Sequence, residues 1–248
     1  MTSLIVEDIG RTSTIPLIKH LASGPHLSVL CLSRSVSQEF YQTPLQNLDH
    51  CFDSLRHLQV YQPIKQTEVE NFLDFLASCP FLSHLKIIPQ VAWVPSGSLS
   101  TSVPHLSSFD GLYSLAISFV AGRPLTSLSL RWMRGENLSK ESLSKLAEGS
   151  VPLRRLSMVN VTWYNDALLD IAEYFPALQS LKLYAISKYS INWMRERLAS
   201  DIQSLPELHE LVISSVPTMG SQVGDLVLDH MTLKALRSAN DRSVLLRL

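Results

Sequence analysis

The chain has little charge. Asp, Glu, Lys and Arg make up 17% of its 248 residues, hydrophobic residues make up 46%, and the formal net charge is -1. That balance excludes an intrinsically disordered chain, which needs low hydrophobicity and strong charge. No basic or acidic block occurs, so the electrostatic footprint of a nucleic-acid-binding protein is missing. Long apolar runs are missing too. The longest, around "LAISFVAG", falls far short of the roughly 18 residues of a membrane helix, so no membrane partner is expected. The first residues show no basic stretch followed by an apolar one, so no secretory signal is expected and the expected location is the cytoplasm or nucleus. The 3 cysteines, Cys31, Cys51 and Cys79, show no C-x-x-C spacing and are expected to be small buried hydrophobes. Without secretion, Asn137-Leu-Ser and Asn160-Val-Thr are chance matches to a glycosylation sequon.

Enzyme signatures are also missing. The sequence contains no G-x-S-x-G, H-E-x-x-H, P-loop or G-x-G-x-x-G pattern. Asp166 and Asp170 lie one helical turn apart, as on an ordinary solvated helix face. No catalytic, cofactor or metal residue is assigned, and no cofactor is expected. The four tryptophans, Trp93, Trp132, Trp163 and Trp193, are scattered over different segments and point to packing rather than to one aromatic cage.

What the chain does have is a repeat. The pattern L-x-x-L-x-L, with apolar substitutes, begins at Met1, Leu27, Leu55, Leu82, Leu106, Leu125, Leu153, Leu178 and Leu208. Successive spacings are 26, 28, 27, 24, 19, 28, 25 and 30 residues, close to the window of about 20–29 for leucine-rich repeats. Between these anchors the apolar period lengthens to that of a helix, as in "TEVENFLDFLASCP", where Thr67 and Glu70 match a capping box. "SKESLSKLAEG" places Gly149 at a helix C′ position, and "NDALLDIAEYFP" offers Asn165 as a cap. "LYSLAISFV" has room for about two turns. Proline recurs just ahead of the anchors, at Pro25, Pro80, Pro104, Pro124, Pro152, Pro176 and Pro206, where it stops a helix and leads the chain extended into a strand. Residues 87–104 have no helical period and read as a surface loop.

These units predict an α/β leucine-rich-repeat solenoid, a horseshoe with a parallel sheet on its concave face and helices on its convex face. One domain spans residues 1–248 with about nine strand units, residues 214–248 being a candidate C-terminal cap and "SVLLRL" a candidate last strand. The run "MTSLIV" falls in register with the later anchors, so it is expected to form the first strand. A strand at the first residue is expected either to be covered by another chain or, the favoured expectation, to mark a fragment whose N-terminal module is absent.

Residues 103–130 carry a more particular pattern. "VPHLSSFDG", a short apolar helix and "AGRPLTSLSL" follow one another. The stretch resembles a segment of F-box-like leucine-rich-repeat proteins of mushroom-forming fungi. The form there is L-P-x-L-x-x-F-x-G, a short helix, then P-G-R-P-x-x-x-L-x-L. Phe109, Gly111, Gly122, Arg123 and Pro124 fill its places, with Ala121 where proline is usual. The resemblance implies a repeat region that recognises another protein. Members usually also carry an F-box near the N-terminus, which binds a Skp-type adaptor and links the repeats to a cullin-based ubiquitin ligase. This chain departs there: nothing matches the L-P-x-E-[ILV] opening and its apolar three-helix pattern. The implied role is the substrate-binding repeat region of an F-box-like receptor lacking its F-box, without binding of the Skp-type adaptor. The alternative is a stand-alone repeat inhibitor or scaffold with no ubiquitin link.

Strand alternation names the outward-facing side chains. One column reads Ser3, Val29, His57, His84, Ser108, Ser127, Arg155, Ser180 and Glu210; the next includes Cys31, Gln59, Lys86, Asp110, Ser129, Ser157 and Lys182; a third includes Tyr61, Arg131, Val159 and Tyr184. Tyr61, Lys86, Arg131, Arg155, Lys182 and Tyr184 are therefore the candidate partner-binding residues, since Arg and Tyr bring contact area together with hydrogen bonds. His57 and His84 are expected as plain surface neighbours, and Lys86 with Asp110 as a cross-strand charge pair.

Overall fold

Each L-x-x-L-x-L run is a strand. In the computed structural model the described residues are 2–6, 27–32, 52–61, 69–88, 103–133, 136–162, 164, 166–185, 198–215 and 245–247. They belong to two compact units, Met1–Leu125 and Thr126–Leu248. The first holds strands β1 (Thr2–Val6), β2 (Leu27–Leu32), β3 (His57–Val60), β4 (His84–Ile87) and β5 (Ser108–Leu112). The second holds β6 (Ser127–Arg131), β7 (Arg155–Val161), β8 (Ser180–Ala185), β9 (Glu210–Ser215) and β10 (Leu245–Arg247). Within each unit the strands are parallel and follow sequence order. The architecture is an α/β leucine-rich-repeat solenoid. "MTSLIV" does supply a strand, and the tail supplies β10, with Leu245 opposite Glu210. The rest of the candidate cap, 216–244, lies outside the described residues, as does most of 87–104.

Burial follows the alternation. Leu58 and Val60 of β3, Leu85 and Ile87 of β4, and Leu156 and Met158 of β7 are buried, while their neighbours on either side reach solvent. The helices are α1 (Val69–Ala77), α2 (Tyr113–Val120), α3 (Lys140–Leu146), α4 (Ala167–Tyr174) and α5 (Leu198–Gln203). Phe72, Phe75 and Leu76 of α1 are buried, and the Phe75 ring meets Phe52 edge-on at 4.9 Å.

The prolines act more specifically than as helix stops. Leu82, Leu106, Leu178 and Leu208 each donate their backbone N–H to the carbonyl three residues back, on Cys79, Val103, Phe175 and Leu205, at 3.1 to 3.2 Å. Pro80, Pro104, Pro176 and Pro206 thus sit at the second position of a tight turn, the place their fixed φ suits. The residue ahead of each proline is buried, and so is Phe52, which closes the same turn onto Leu55 without a proline. The sequence carries this fourth buried column as an apolar residue before the proline, a signal not used above.

Several local expectations need correction. α3 ends at Leu146 with Ala147 as its C-cap, and among the described glycines Gly122, not Gly149, has a positive φ, of 71°. The start of α3 is better capped than its sequence suggests. Ser139 Oγ accepts from Ser142 N at 3.1 Å, and Ser142 Oγ accepts from Ser139 N at 2.9 Å. Serine takes the place that Glu or Gln usually holds in a capping box. The proposed caps Thr67 and Asn165 lie outside the described residues, as do Trp93, Trp163 and Trp193, while Trp132 is buried. Cys79 is buried, but Cys31 faces outward and is half-exposed; Cys51 lies outside the described residues.

The 103–130 pattern has a packing explanation. A Cβ on Gly111 would lie 2.7 Å from the ring of Phe109 and 3.2 Å from the Ile87 carbonyl oxygen. The Phe109 ring therefore fills the space that a third-anchor leucine occupies in other repeats. It packs on Phe119 of α2 at 5.6 Å. Arg123, only 2% exposed, donates to the Phe119 carbonyl at 2.7 Å and so closes the C-terminus of α2. Burial lowers its pKa.

Candidate protein-interaction face

Parallel pairing puts the outward columns in the register read from the sequence. In the first unit His57 lies opposite His84, and Lys86 opposite Asp110. The two imidazoles are stacked, with centroids 4.1 Å apart and planes 22° from parallel. Ser83 Oγ lies 2.8 Å from His84 Nδ1. Lys86 Nζ lies 3.1 Å from Asp110 Oδ2, the cross-strand pair expected. Gln59 Nε2 donates to the Tyr61 hydroxyl and Cys31 Sγ donates to Gln59 Oε1 at 3.8 Å. Cys31, His57, Gln59, His84, Lys86 and Asp110 line a groove of about 380 Å³ on the sheet face, and Tyr61 stands beside them 45% exposed. Among the described residues no three His, Cys, Asp or Glu side chains converge as metal ligands would.

The second unit presents a different face. Ser127 pairs with Arg155, Ser129 with Ser157, and Arg131 with Val159. On the far side Arg155 pairs with Ser180, Ser157 with Lys182, and Val159 with Tyr184. Lys182 Nζ lies 3.0 Å from Glu210 Oε1, and Ser180 Oγ donates to Glu210 Oε2 at 2.5 Å. Neither Arg131 nor Arg155 has a carboxylate partner among the described residues.

The six candidate residues therefore divide. Tyr61 and Lys86 belong to the first unit; Arg131, Arg155, Lys182 and Tyr184 belong to the second. The two lysines are neutralised by neighbours, which leaves the two arginines as the cations of the set without a carboxylate partner among the described residues. Sequence reasoning did not foresee the Lys182–Glu210 pair. Its signal was a diagonal one, Glu210 sitting one column over in the next repeat.

On the helix side of the second unit, the reading of Asp166 and Asp170 as a solvated pair holds for only one of them. Asp166 is exposed, but Asp170 is 3% exposed. Its carboxylate accepts from the Tyr164 hydroxyl at 2.6 Å and pairs with Lys140 Nζ at 2.9 Å, and Lys140 also reaches Glu173 at 3.7 Å. The cluster ties α3 to α4 beside a groove of about 590 Å³. All of its charges face one another, so it serves as a structural clasp.

Sheet, helices and repeat spacing define a leucine-rich-repeat protein. A solved structure of the same class is similar over the whole chain: the leucine-rich repeat-containing protein LegL7 from Legionella pneumophila. It superposes with a TM-score of 0.53 at 16% sequence identity, covering 100% of this chain and 72% of that one. Identity that low carries the fold alone. No family model and no curated protein sequence matches the chain.

Proposed function

We propose that this protein is a non-catalytic recognition module of the cytoplasm or nucleus, which binds another protein through the open face of its sheet. The observation that carries this reading is the in-register outward face, where cationic, aromatic and hydroxyl side chains stand over the buried apolar anchors. Solenoids expose such faces as extended binding surfaces. The finer role we propose is that of the substrate-binding repeats of an F-box-like ubiquitin-ligase receptor, supported by Phe109, Gly111, Gly122, Arg123 and Pro124 in the 103–130 pattern.

A photo-reactive amino acid at Ser129, on the sheet face, is expected to cross-link a discrete partner, whereas the same group at Ser144, exposed on α3, is not. The captured protein is then purified and its affinity for the chain measured. Cross-links from Ser144 alone would overturn the sheet-face reading. A purified Skp-type adaptor is expected not to bind this chain, and its capture would reveal an adaptor site that the sequence does not display.

A further inference from the structure

We propose that the sheet face of the second unit binds an extended acidic segment of its partner protein, with carboxylates four residues apart held by Arg155 and Arg131; this rests on the protein-recognition reading above. β6 and β7 present Ser127, Ser129, Arg131, Arg155, Ser157 and Val159 outward, a set without a carboxylate. Three half-buried serines form a low hydroxyl floor between two long cationic side chains. Arg155 stands at the start of β7, and Arg131 stands opposite Val159, four residues further along. The two Cα atoms are therefore roughly 13 Å apart along the strands and about 4.8 Å apart across them.

That offset is a measuring rule. In a fully extended peptide, residues i and i+4 point the same way and lie about 13 Å apart. Two acidic side chains at that spacing meet one guanidinium each, and each pair is a charge-assisted, potentially bidentate contact. Serine hydroxyls below the peptide supply hydrogen-bond donors without bulk. At this separation the two arginines repel by only about 0.3 kcal/mol in water, so the empty site is not strained by its own charge. Glu210 is engaged by Lys182 and Ser180, so it adds no unpaired negative charge at the flank. A basic partner has no such complement here.

The test uses the whole chain and fluorescein-labelled ten-residue peptides in a Ser/Thr/Gly background. One carries two glutamates four apart, one carries them adjacent, and one carries two lysines four apart. In fluorescence anisotropy at about 50 mM salt the four-apart glutamate peptide is expected to bind at least roughly fivefold tighter than the adjacent one, and the lysine peptide not at all. Arg131→Gln and Arg155→Gln are each expected to weaken binding about tenfold, with Arg→Lys intermediate at either site. Lys145→Gln, exposed on α3 away from the sheet face, is expected to change nothing. Circular dichroism of each variant confirms that the fold is kept, since neither arginine is buried.

Equal affinity for the two glutamate peptides, failure of both to bind up to about 1 mM, or indifference to Arg131 and Arg155 would overturn the proposal. So would tighter binding of an oligothymidylate probe, which would assign the two arginines to phosphates. If any of these occurs while Ser129 still cross-links a partner, the recognition reading stands and only the acidic segment falls. Cross-links from the helix side alone would remove both.

Discussion

Phe109 and Gly111 hold the second and third anchor positions of their repeat, where other repeats place Leu with Leu, Val, Ile or Met. One side chain does the work of two, and the glycine is required by close approach. Gly111→Ala puts a methyl against a buried ring and a backbone oxygen. It is expected to cost about 2 kcal/mol, read from the urea midpoint. Phe109→Leu combined with Gly111→Leu is expected to recover most of that, because it restores the ordinary pair; a double variant less stable than Gly111→Ala alone would refute the volume exchange. Cysteine behaviour belongs to this scale too. Burial pushes the Cys79 thiol up to about 12, so in the native protein it is expected to resist iodoacetamide while outward-facing Cys31 reacts. Labelling of Cys79 as fast as of Cys31, followed by mass spectrometry, would contradict this placement. The sequence showed the unusual Phe and Gly as a likeness, but their complementarity is a matter of ring position that spacing cannot convey.

At the scale of elements, helix–helix contact in the second unit depends on a polar clasp as well as on leucines. Asp170 was misread because its charged partner comes from the preceding repeat. Tyr164 lies just ahead of α4, but Lys140 begins α3 and only the stacking of repeats brings it to Asp170. The Tyr164 hydroxyl is pushed well above its ordinary value, first by burial and then by its bond to the Asp170 carboxylate. The folded state thus holds the neutral phenol after the unfolded chain has begun to ionise. Stability from this group is intact below about pH 10 and is lost as the pH rises beyond it. Tyr164→Phe is expected to be about 1 kcal/mol less stable at neutral pH and to show a shallower alkaline decline; an unchanged alkaline slope in urea titrations would rule the phenol out. The elements themselves were legible. Strand positions and register follow from anchors that recur in step, whereas caps such as Ser139 with Ser142 depend on hydroxyl geometry that several residue types can supply.

For the whole molecule, stability is a sum of local terms, because each repeat packs on its neighbours. Gly111 meets Phe109 and Ile87 in the first unit, while Tyr164 meets Asp170 in the second. Gly111→Ala and Tyr164→Phe are therefore expected to add within about 0.5 kcal/mol in the double variant. A larger deviation would mean long-range coupling. The outward sheet face was readable as columns of side chains but not as charges. Salt bridges to Asp110 and Glu210 cancel two of the cations counted from the sequence, and cancellation depends on side-chain reach across strands.

The strand register also bears on how the chain reaches this structure. Within each unit, neighbouring strands pair residues between 24 and 35 positions apart, from Lys86 with Asp110 to Leu245 with Glu210. Loop-closure entropy depends on the logarithm of that separation, so the longest closure costs only about 0.3 kcal/mol more than the shortest. No single pairing is the obligatory first step. Folding can start at any well-packed pair of repeats and spread along the chain, so a slow-folding variant marks a poor local nucleus rather than a difficult topology.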